Sequence, residues 1–396
     1  MVIKPKVRGF ICTNAHPTGC AQHVQEQIDY VKSQPQADNM PKKVLVIGAS
    51  TGYGLASRIT SAFGGGASTL GIFFEKEPTE KRTGSAGWYN TAAFEAAADD
   101  AGLYSKNING DAFSNELKER AIATIKEDLG QVDLVVYSLA APRRTDPVTG
   151  EVYASALKPI GNGFTTKSLN TSKRVIEEVA VEPASEEEID GTIKVMGGED
   201  WELWMKALTE AGVLAQGCKT VAYTYIGKQL TWPLYGKATI GRAKEDLDRA
   251  ATEIRNVTAD LDGEAFVTSL NAVVTQASSA IPIMPLYISG LFKVMKQDGT
   301  QENPIQQIQG LFRDNLYSAS RDLDEHNRIM QNLKELEDSV QDRVQAIWDQ
   351  VDTDSIDELT DYVGYNHEFM KLFGFEVDGV DYDADVSPLA PINNLL

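Results

Sequence analysis

Two groups of residues in this chain have types and spacings that do chemistry. The first is the run Gly48-Ala49-Ser50-Thr51-Gly52-Tyr53-Gly54. Glycines let a backbone turn tightly and approach a ligand closely, and the free N–H groups at a helix start attract anions. The run therefore reads as a phosphate cradle, or else as a tight strand-to-helix turn that holds nothing. The second group is Tyr235 with Lys244, nine residues apart. A phenol serves as a proton donor to a developing oxyanion when a nearby cation lowers a pKa that starts near ~10. A regular helix turns about 100° per residue, so nine residues put the two side chains on opposite faces. Either the pair is unrelated, a surface tyrosine and a solvated lysine, or a helix begins between them. Gly236 and Thr239 favour the second, with Tyr235 on the loop before the helix and Lys244 in its second turn. Tyr223 and Tyr225, at the end of the preceding strand, are rivals or helpers for the same role.

Such residues need elements to hold them. Short apolar runs at 43–48, 67–74, 103–108 and 131–138 read as strands, separated by helices at 53–63, through 94–100 and at 115–129. That alternation means a parallel sheet with right-handed crossovers. From 142 to about 195 it stops, and turns, prolines and glycines dominate, which marks an insertion after the fourth strand. It resumes with a helix at 200–211, a strand at 220–226, a helix at 239–255 and a strand at 265–270. Residues 300–396 read as mainly helical. Residues 1–42 form an N-terminal extension of short extended pieces, a helix at 20–33 and a polar linker. The expected class is α/β, one doubly wound parallel sheet over 1–396 with additional helices.

Glu75 lies 27 residues after Gly48, where the second strand should end. A carboxylate there accepts hydrogen bonds from adenosine ribose hydroxyls and repels a 2′-phosphate, which favours NADH over NADPH. The plainer reading is a surface acid beside Lys76 and Glu77. Asp111-Ala112 after the third strand and Leu139-Ala140 after the fourth occupy the carboxyl edge, where ligands of such sheets bind. The G-x-x-x-G-x-G pattern is closer to short-chain dehydrogenases than to the GxGxxG of classical dehydrogenases.

Composition removes other classes. Against 37 Lys+Arg stand 57 Asp+Glu, a net charge of −20, which argues against nucleic acid as a partner. Four histidines show no zinc-like spacing, and no metal site is expected. Cys12, Cys20 and Cys218 are too few for a disulfide framework and suggest a reducing, cytoplasmic setting. Residues 265–292 carry no charge, but their polar residues and Pro282 and Pro285 argue for a buried strand running into a helix, not membrane insertion. Ser155-x-x-Lys158 and the acidic loop at 378–385 are weak signals for catalysis and calcium. Residues 321–360 hold 12 acids and 4 bases, most simply a solvated helical face.

The whole pattern resembles a known family. Gly48–Gly54, Glu75, YSLAAPRRTDPVTG (137–150), VMGGEDWELW (195–204), YTYIG (223–227), Tyr-x8-Lys, NAHPTGC (14–20) and AIPIMPLYISGLFKVMK (280–296) are similar to the trans-2-enoyl-CoA / enoyl-[acyl-carrier-protein] reductases of the FabV/TER type. The resemblance covers nearly the whole chain, and the Tyr-x8-Lys spacing is its most discriminating feature. It implies an enlarged Rossmann-type, short-chain-dehydrogenase-like domain, usually monomeric, that uses NADH. The substrate it implies is a trans-2-enoyl thioester of acyl-carrier protein or CoA, reduced in the last step of the fatty acid elongation cycle. Hydride attacks C3, an enolate forms at the thioester oxygen, and C2 is protonated. Tyr235 takes the place of the family's proton donor, Lys244 that of its cofactor-contacting lysine, and Tyr225 that of a substrate contact. The cofactor stretches fall on Gly48, Ala49, Ser50, Thr51, Gly52 and Tyr53, on Phe74 and Glu75, on Asp111 and Ala112, on Leu139 and Ala140, and on Val273, Val274 and Thr275. Met284, Tyr287, Phe292 and Met295 line an acyl tunnel or are plain helix core. Residues 141–175 hold Arg143, Arg144, Lys158, Lys167, Lys173 and Arg174 against two acids. They either overhang the substrate mouth and attract its phosphates or pair with acids of the C-terminal region. From the residues alone, a carbonyl or alcohol dehydrogenase and a non-catalytic NAD-sensing module remain open.

Overall fold

The computed structural model describes residues 1–396. Its frame is a seven-stranded parallel sheet made of β1 (Lys43–Ile47), β2 (Ser68–Phe73), β3 (Ser105–Asn109), β4 (Val132–Tyr137), β5 (Leu214–Thr224), β6 (Glu264–Ser269) and β7 (Ile329–Met330). The strand order is β7-β6-β5-β4-β1-β2-β3. The order reverses between β1 and β4, and a parallel sheet opens a crevice at the carboxyl ends of the strands at such a point. Val44 to Ile47 are completely buried without alternation, as a strand covered on both faces must be.

Helices supply the cover. On one face lie α1 (Pro17–Ser33), α2 (Gly52–Ile59) and α3 (Ala86–Asp100), which share a core with Val44, Val46 and Phe312. On the other face α4 (Asn115–Thr124), α5 (Glu199–Glu210) and α6 (Thr239–Val257) pack on Leu45, Ile47 and Val135. A third cluster is built on α7 (Met284–Asp298) and α8 (Asp338–Gln350) together with residues 362–375. Met284, Tyr287, Phe292 and Met295 all belong to it and are almost fully buried, so helix core describes their position. Residues 265–292 do run from a buried strand into a helix, and no helix is long and apolar enough to cross a membrane.

Three differences from the expected elements have physical reasons. The insertion is not irregular. It holds two antiparallel hairpins, Arg143–Thr145 with Val152–Ala154 and Phe164–Asn170 with Val175–Val181, and then the helix Glu186–Met196. Leu169 is the only buried residue of the longer hairpin, so no apolar alternation announces it. The helix α1 starts at Pro17, before the expected 20, because Pro sits in its first turn and His16 Nδ1 accepts from the Gly19 N–H at 3.1 Å. The seventh strand is two residues long and went unread in a segment expected to be helical. Beyond β3 the chain adds a further rung. The Asn107 N–H donates to the Asn394 carbonyl at 2.9 Å and the Leu396 N–H to the Asn107 carbonyl at 2.8 Å.

Candidate active site

At the end of β1 the backbone of Gly48 has φ +88°, and a Cβ there would run into the Ser138 carbonyl oxygen. The close approach brings Leu139, just past β4, against the turn. Thr51 precedes α2 without a side-chain bond to its first turn, so those N–H groups are unclaimed. Tight glycines beside free helix-start donors are what a pyrophosphate fits. Across the crevice Val273 and Val274 are buried. Thr275 forms a capping box with Ser278 and sets its methyl near Gly52.

Glu75 follows β2. Its Oε1 accepts from the Ser50 hydroxyl at 2.7 Å, and Gly87 of α3 comes so close that any Cβ would meet the carboxylate. Burial pushes the Glu75 carboxyl up, and the Ser85 and Ser50 hydroxyls draw it back down. Asn109 clamps the backbone of Glu75 from both sides, accepting from its N–H at 2.9 Å and donating to its carbonyl at 3.0 Å. Phe74 beside it is 80% exposed, an apolar ring open to the crevice edge. Past β3, the Asp111 carboxylate accepts from the Phe113 N–H at 3.0 Å. Ala112 is braced from beneath by Trp204 Nε1 at 3.1 Å and by the buried Lys118, which is paired with Asp200 at 2.8 Å. The stretch 195–204 thus holds the loop after β3 through two α5 residues.

The turn and the helix that carry Tyr235 and Lys244 fall where the sequence places them. Tyr235 ends a single turn, Trp232–Tyr235, and α6 starts at Thr239, which places Lys244 in its second turn. Gly241 lets the helix pack on the Tyr235 and Gly236 carbonyls. Lys244 Nζ is 3.5 Å from the Tyr223 carbonyl, too far to satisfy an ammonium, and burial pushes it down to about 8 against the pull of Asp248. The Tyr235 ring meets the Tyr225 ring edge to face at 4.7 Å. Tyr53 and Tyr223 continue the aromatic row, with Tyr53 OH donating to the Asn271 carbonyl at 2.9 Å. Burial first, and then the Glu335 carboxylate, push the Tyr235 hydroxyl up.

Glu335, Tyr287 and Gln341 are residues the sequence did not single out for this place. Glu335 is fully buried and contacts both Tyr225 and Tyr287 at 2.7 Å. One acid among twelve in an acidic segment carries no signal of burial. The basic stretch also differs from a free docking patch. Arg144 is buried and paired with Glu199, Lys158 pairs with Glu188, Arg174 with Asp357, and Lys167 Nζ donates to the Trp348, Asp349 and Val351 carbonyls. The pairing alternative describes it, partly with the C-terminal region.

An open parallel sheet that reverses at a glycine turn is the architecture of dinucleotide-binding α/β proteins, which is the class this fold and turn define. Comparison with known proteins narrows this class: the chain belongs to the trans-2-enoyl-CoA reductase family. Residues 82–317 match its "Trans-2-enoyl-CoA reductase catalytic region", and residues 2–80 its "NAD(P)H binding domain of trans-2-enoyl-CoA reductase". Among curated proteins the chain is 75% identical to an enoyl-[acyl-carrier-protein] reductase [NADH] of Colwellia psychrerythraea, over all of both chains. It is 72% identical, again over all of both, to one of Pseudoalteromonas translucida. Among solved structures, a Clostridium acetobutulicum trans-2-enoyl-CoA reductase in complex with NADH is 43% identical, with 98% of each chain covered and a TM-score of 0.95. A Treponema denticola trans-2-enoyl-CoA reductase in complex with NAD is 46% identical, with 99% of each covered and a TM-score of 0.93.

Residues 323–386 match a third model, "Enoyl reductase FAD binding domain". The residues present do not fit a flavin. None of the helices here, which start at Asp338, Ile356 and Tyr362, follows a strand through a glycine turn. The cavity of about 390 Å³ beside residues 350–354 is lined by Glu177, Glu178, Asp352 and Asp354 with Lys167 as its one base, a poor place for a pyrophosphate.

Proposed function

We infer that this protein is an NADH-dependent enoyl reductase, which reduces the C2=C3 bond of trans-2-enoyl thioesters in the last step of fatty acid elongation. The observation that carries it is the full-length match to enoyl reductases, with the phenol–amine pair standing at the cofactor crevice. When bound, NADH supplies the hydride that C3 accepts. Gly48 to Tyr53 would hold the pyrophosphate and Glu75 the adenosine ribose, with Phe74, Asp111 and Ala112 completing that end. Leu139, Ala140, Lys244 and Val273 to Thr275 would hold the nicotinamide end. As C3 gains hydride, negative charge collects on the thioester oxygen. The Tyr235 hydroxyl donates to that oxygen and holds the proton that ends on C2, while Tyr225 holds the thioester from the neighbouring side. Burial, and then the Glu335 carboxyl, hold the Tyr235 hydroxyl in its protonated form in the free protein. The working form is a cytoplasmic monomer that takes its substrate from acyl-carrier protein, the carrier in the names of the relatives.

The test is loss of NADH absorbance with crotonyl-ACP, crotonyl-CoA and acetoacetyl-CoA. Turnover of the enoyl thioesters and none of acetoacetyl-CoA is expected, with kcat/KM for NADPH at least about tenfold below NADH because Glu75 faces the 2′-phosphate. Faster reduction of acetoacetyl-CoA would make the protein a carbonyl reductase. No turnover alongside tight NADH binding would make it a sensor.

A further inference from the structure

Glu335 sits in the short turn Lys334–Leu336 just ahead of α8, and none of its surface reaches solvent. Its Oε1 lies 2.7 Å from the Tyr225 hydroxyl and 2.7 Å from the Tyr287 hydroxyl, while Oε2 accepts the Ala272 N–H at 2.5 Å. Gln341 of α8 locks the far side, donating to Tyr287 OH at 2.9 Å and to the Glu335 carbonyl at 2.7 Å. No base pairs with the carboxyl group. Lys334, next to it in the chain, is paired with Glu337, and Lys228 is engaged by the Leu336 carbonyl and the Asp338 carboxylate. The loop Asn271 to Thr275 carries no charge, and α7 contributes Tyr287. The titratable groups that face the carboxyl are therefore Tyr225, Tyr287, Tyr235 and, further off, Tyr53.

Two hydroxyls share one oxygen, and the proton count on that oxygen decides what Tyr225 can do. An ionised carboxylate only accepts, so both phenols must donate to it. Tyr225 then has no proton left for anything in the pocket. A protonated carboxyl donates one hydrogen bond. Tyr287 already accepts from Gln341, which leaves Tyr225 as the phenol oxygen with no other donor on it; where Tyr225 takes that bond, its own O–H is released. Its remaining protein neighbour, the Thr231 hydroxyl at 3.5 Å, holds it weakly.

We propose that Glu335 is a positioning residue that sets Tyr225 as a donor: with its carboxyl group protonated, the Tyr225 hydroxyl is free to donate to the thioester oxygen. The proposal rests on the reading of Tyr225 as a substrate contact. Burial without a cation pushes the carboxyl up and so favours its protonated form, against the pull of its hydrogen bonds from Tyr225, Ala272 and Tyr287. A negative charge here would also oppose the enolate that forms beside Tyr225 and Tyr235. The C-terminal segment thus contributes to the reductase site through a carboxyl group and an amide, not through a flavin.

The experiment is the pH profile of kcat/KM for crotonyl-CoA at saturating NADH, in wild type, Glu335→Gln, Tyr225→Phe and the double variant. A glutamine amide donates to Tyr225 as the protonated acid does and cannot ionise. Wild type should lose activity as pH rises through the ionisation of Glu335, and Glu335→Gln should lack that limb, exceeding wild type roughly tenfold at its alkaline end. In the Tyr225→Phe background the substitution should change nothing, and NADH affinity should stay within about twofold throughout. A wild-type limb retained in Glu335→Gln, or still present in Tyr225→Phe, overturns the proposal. The second measurement stands even if Glu335→Gln fails to fold. Full activity of Tyr225→Phe would instead overturn the reading of Tyr225 as a substrate contact.

Discussion

Lys244 keeps an ammonium in a buried place with only a long contact to the Tyr223 carbonyl, which is why it is pushed down to about 8. Ribose hydroxyls of a bound dinucleotide would give that ammonium the acceptors it lacks, so binding should favour its charged form. NADH affinity should then be level below about pH 7 and weaken above pH 8, by at most about tenfold per unit, because one proton is involved. Lys244→Met should bind more weakly and show no slope. An equal slope in that variant would assign the loss to another group, which titration calorimetry across pH 6 to ~9.5 resolves. Stability moves the other way. With a folded value near 8 and an ordinary value of 10.5, the unfolded chain holds more protons between them, so this group adds stability to the free protein as pH rises across that window. Opposite signs for affinity and stability are the mark of a lysine kept charged for a ligand.

The helix α6 starts four residues after Tyr235, and a close contact rather than a cap marks that start. Ala238, before α6, makes no side-chain cap, whereas Gly241 packs where any Cβ would strike the Gly236 carbonyl. Gly241→Ala should push the Trp232–Tyr235 turn off the helix. A misplacement of about 1 Å in such a site costs roughly a hundredfold, so kcat should fall by that order while NADH affinity and circular dichroism hold. Unchanged kcat would show that the turn is positioned by something else. The start of α6 at Thr239 was legible beforehand from Gly236 and Thr239, and β1 was legible as an apolar run ending in glycine. The hairpin Phe164–Asn170 with Val175–Val181 was not, since strands with so little buried surface leave no periodic trace. Glu335 was invisible for a related reason: its burial is a property of the tertiary contacts made by Tyr225, Tyr287 and Ala272, and nothing in the local run of acids distinguishes it.

At the scale of the molecule, a net charge of −20 must coexist with a phosphate-bearing cofactor and an acidic substrate carrier. The basic stretch 141–175 does not solve this by forming a patch, because four of its six bases are engaged: Arg144 and Lys158 with Glu199 and Glu188, and Arg174 and Lys167 with the C-terminal region. Arg174 pairs with Asp357, and Lys167 closes the end of α8 by donating to three carbonyls, of which Trp348 at 2.7 Å is nearest. A lysine there satisfies acceptors that a helix end leaves open and faces the negative end of its dipole, worth about 1 kcal/mol. Lys167→Ala should therefore lower thermal stability while leaving KM for the thioester unchanged. Arg143 and Lys173, both exposed and outside these pairs, are the residues on which a docking role would have to rest, and Arg143 is the one near Leu139 and Ala140. One exposed charge is screened over about 10 Å at 0.1 M salt, so Arg143→Glu should alter thioester KM by less than about twofold even at low ionic strength. A severalfold, salt-dependent rise in KM for crotonyl-ACP that spares NADH would restore the insertion as a docking surface. A flat response, with the stability loss confined to Lys167→Ala, would identify its bases as the clamp that fixes α8, and with it Gln341 and the neighbouring Glu335, over the site.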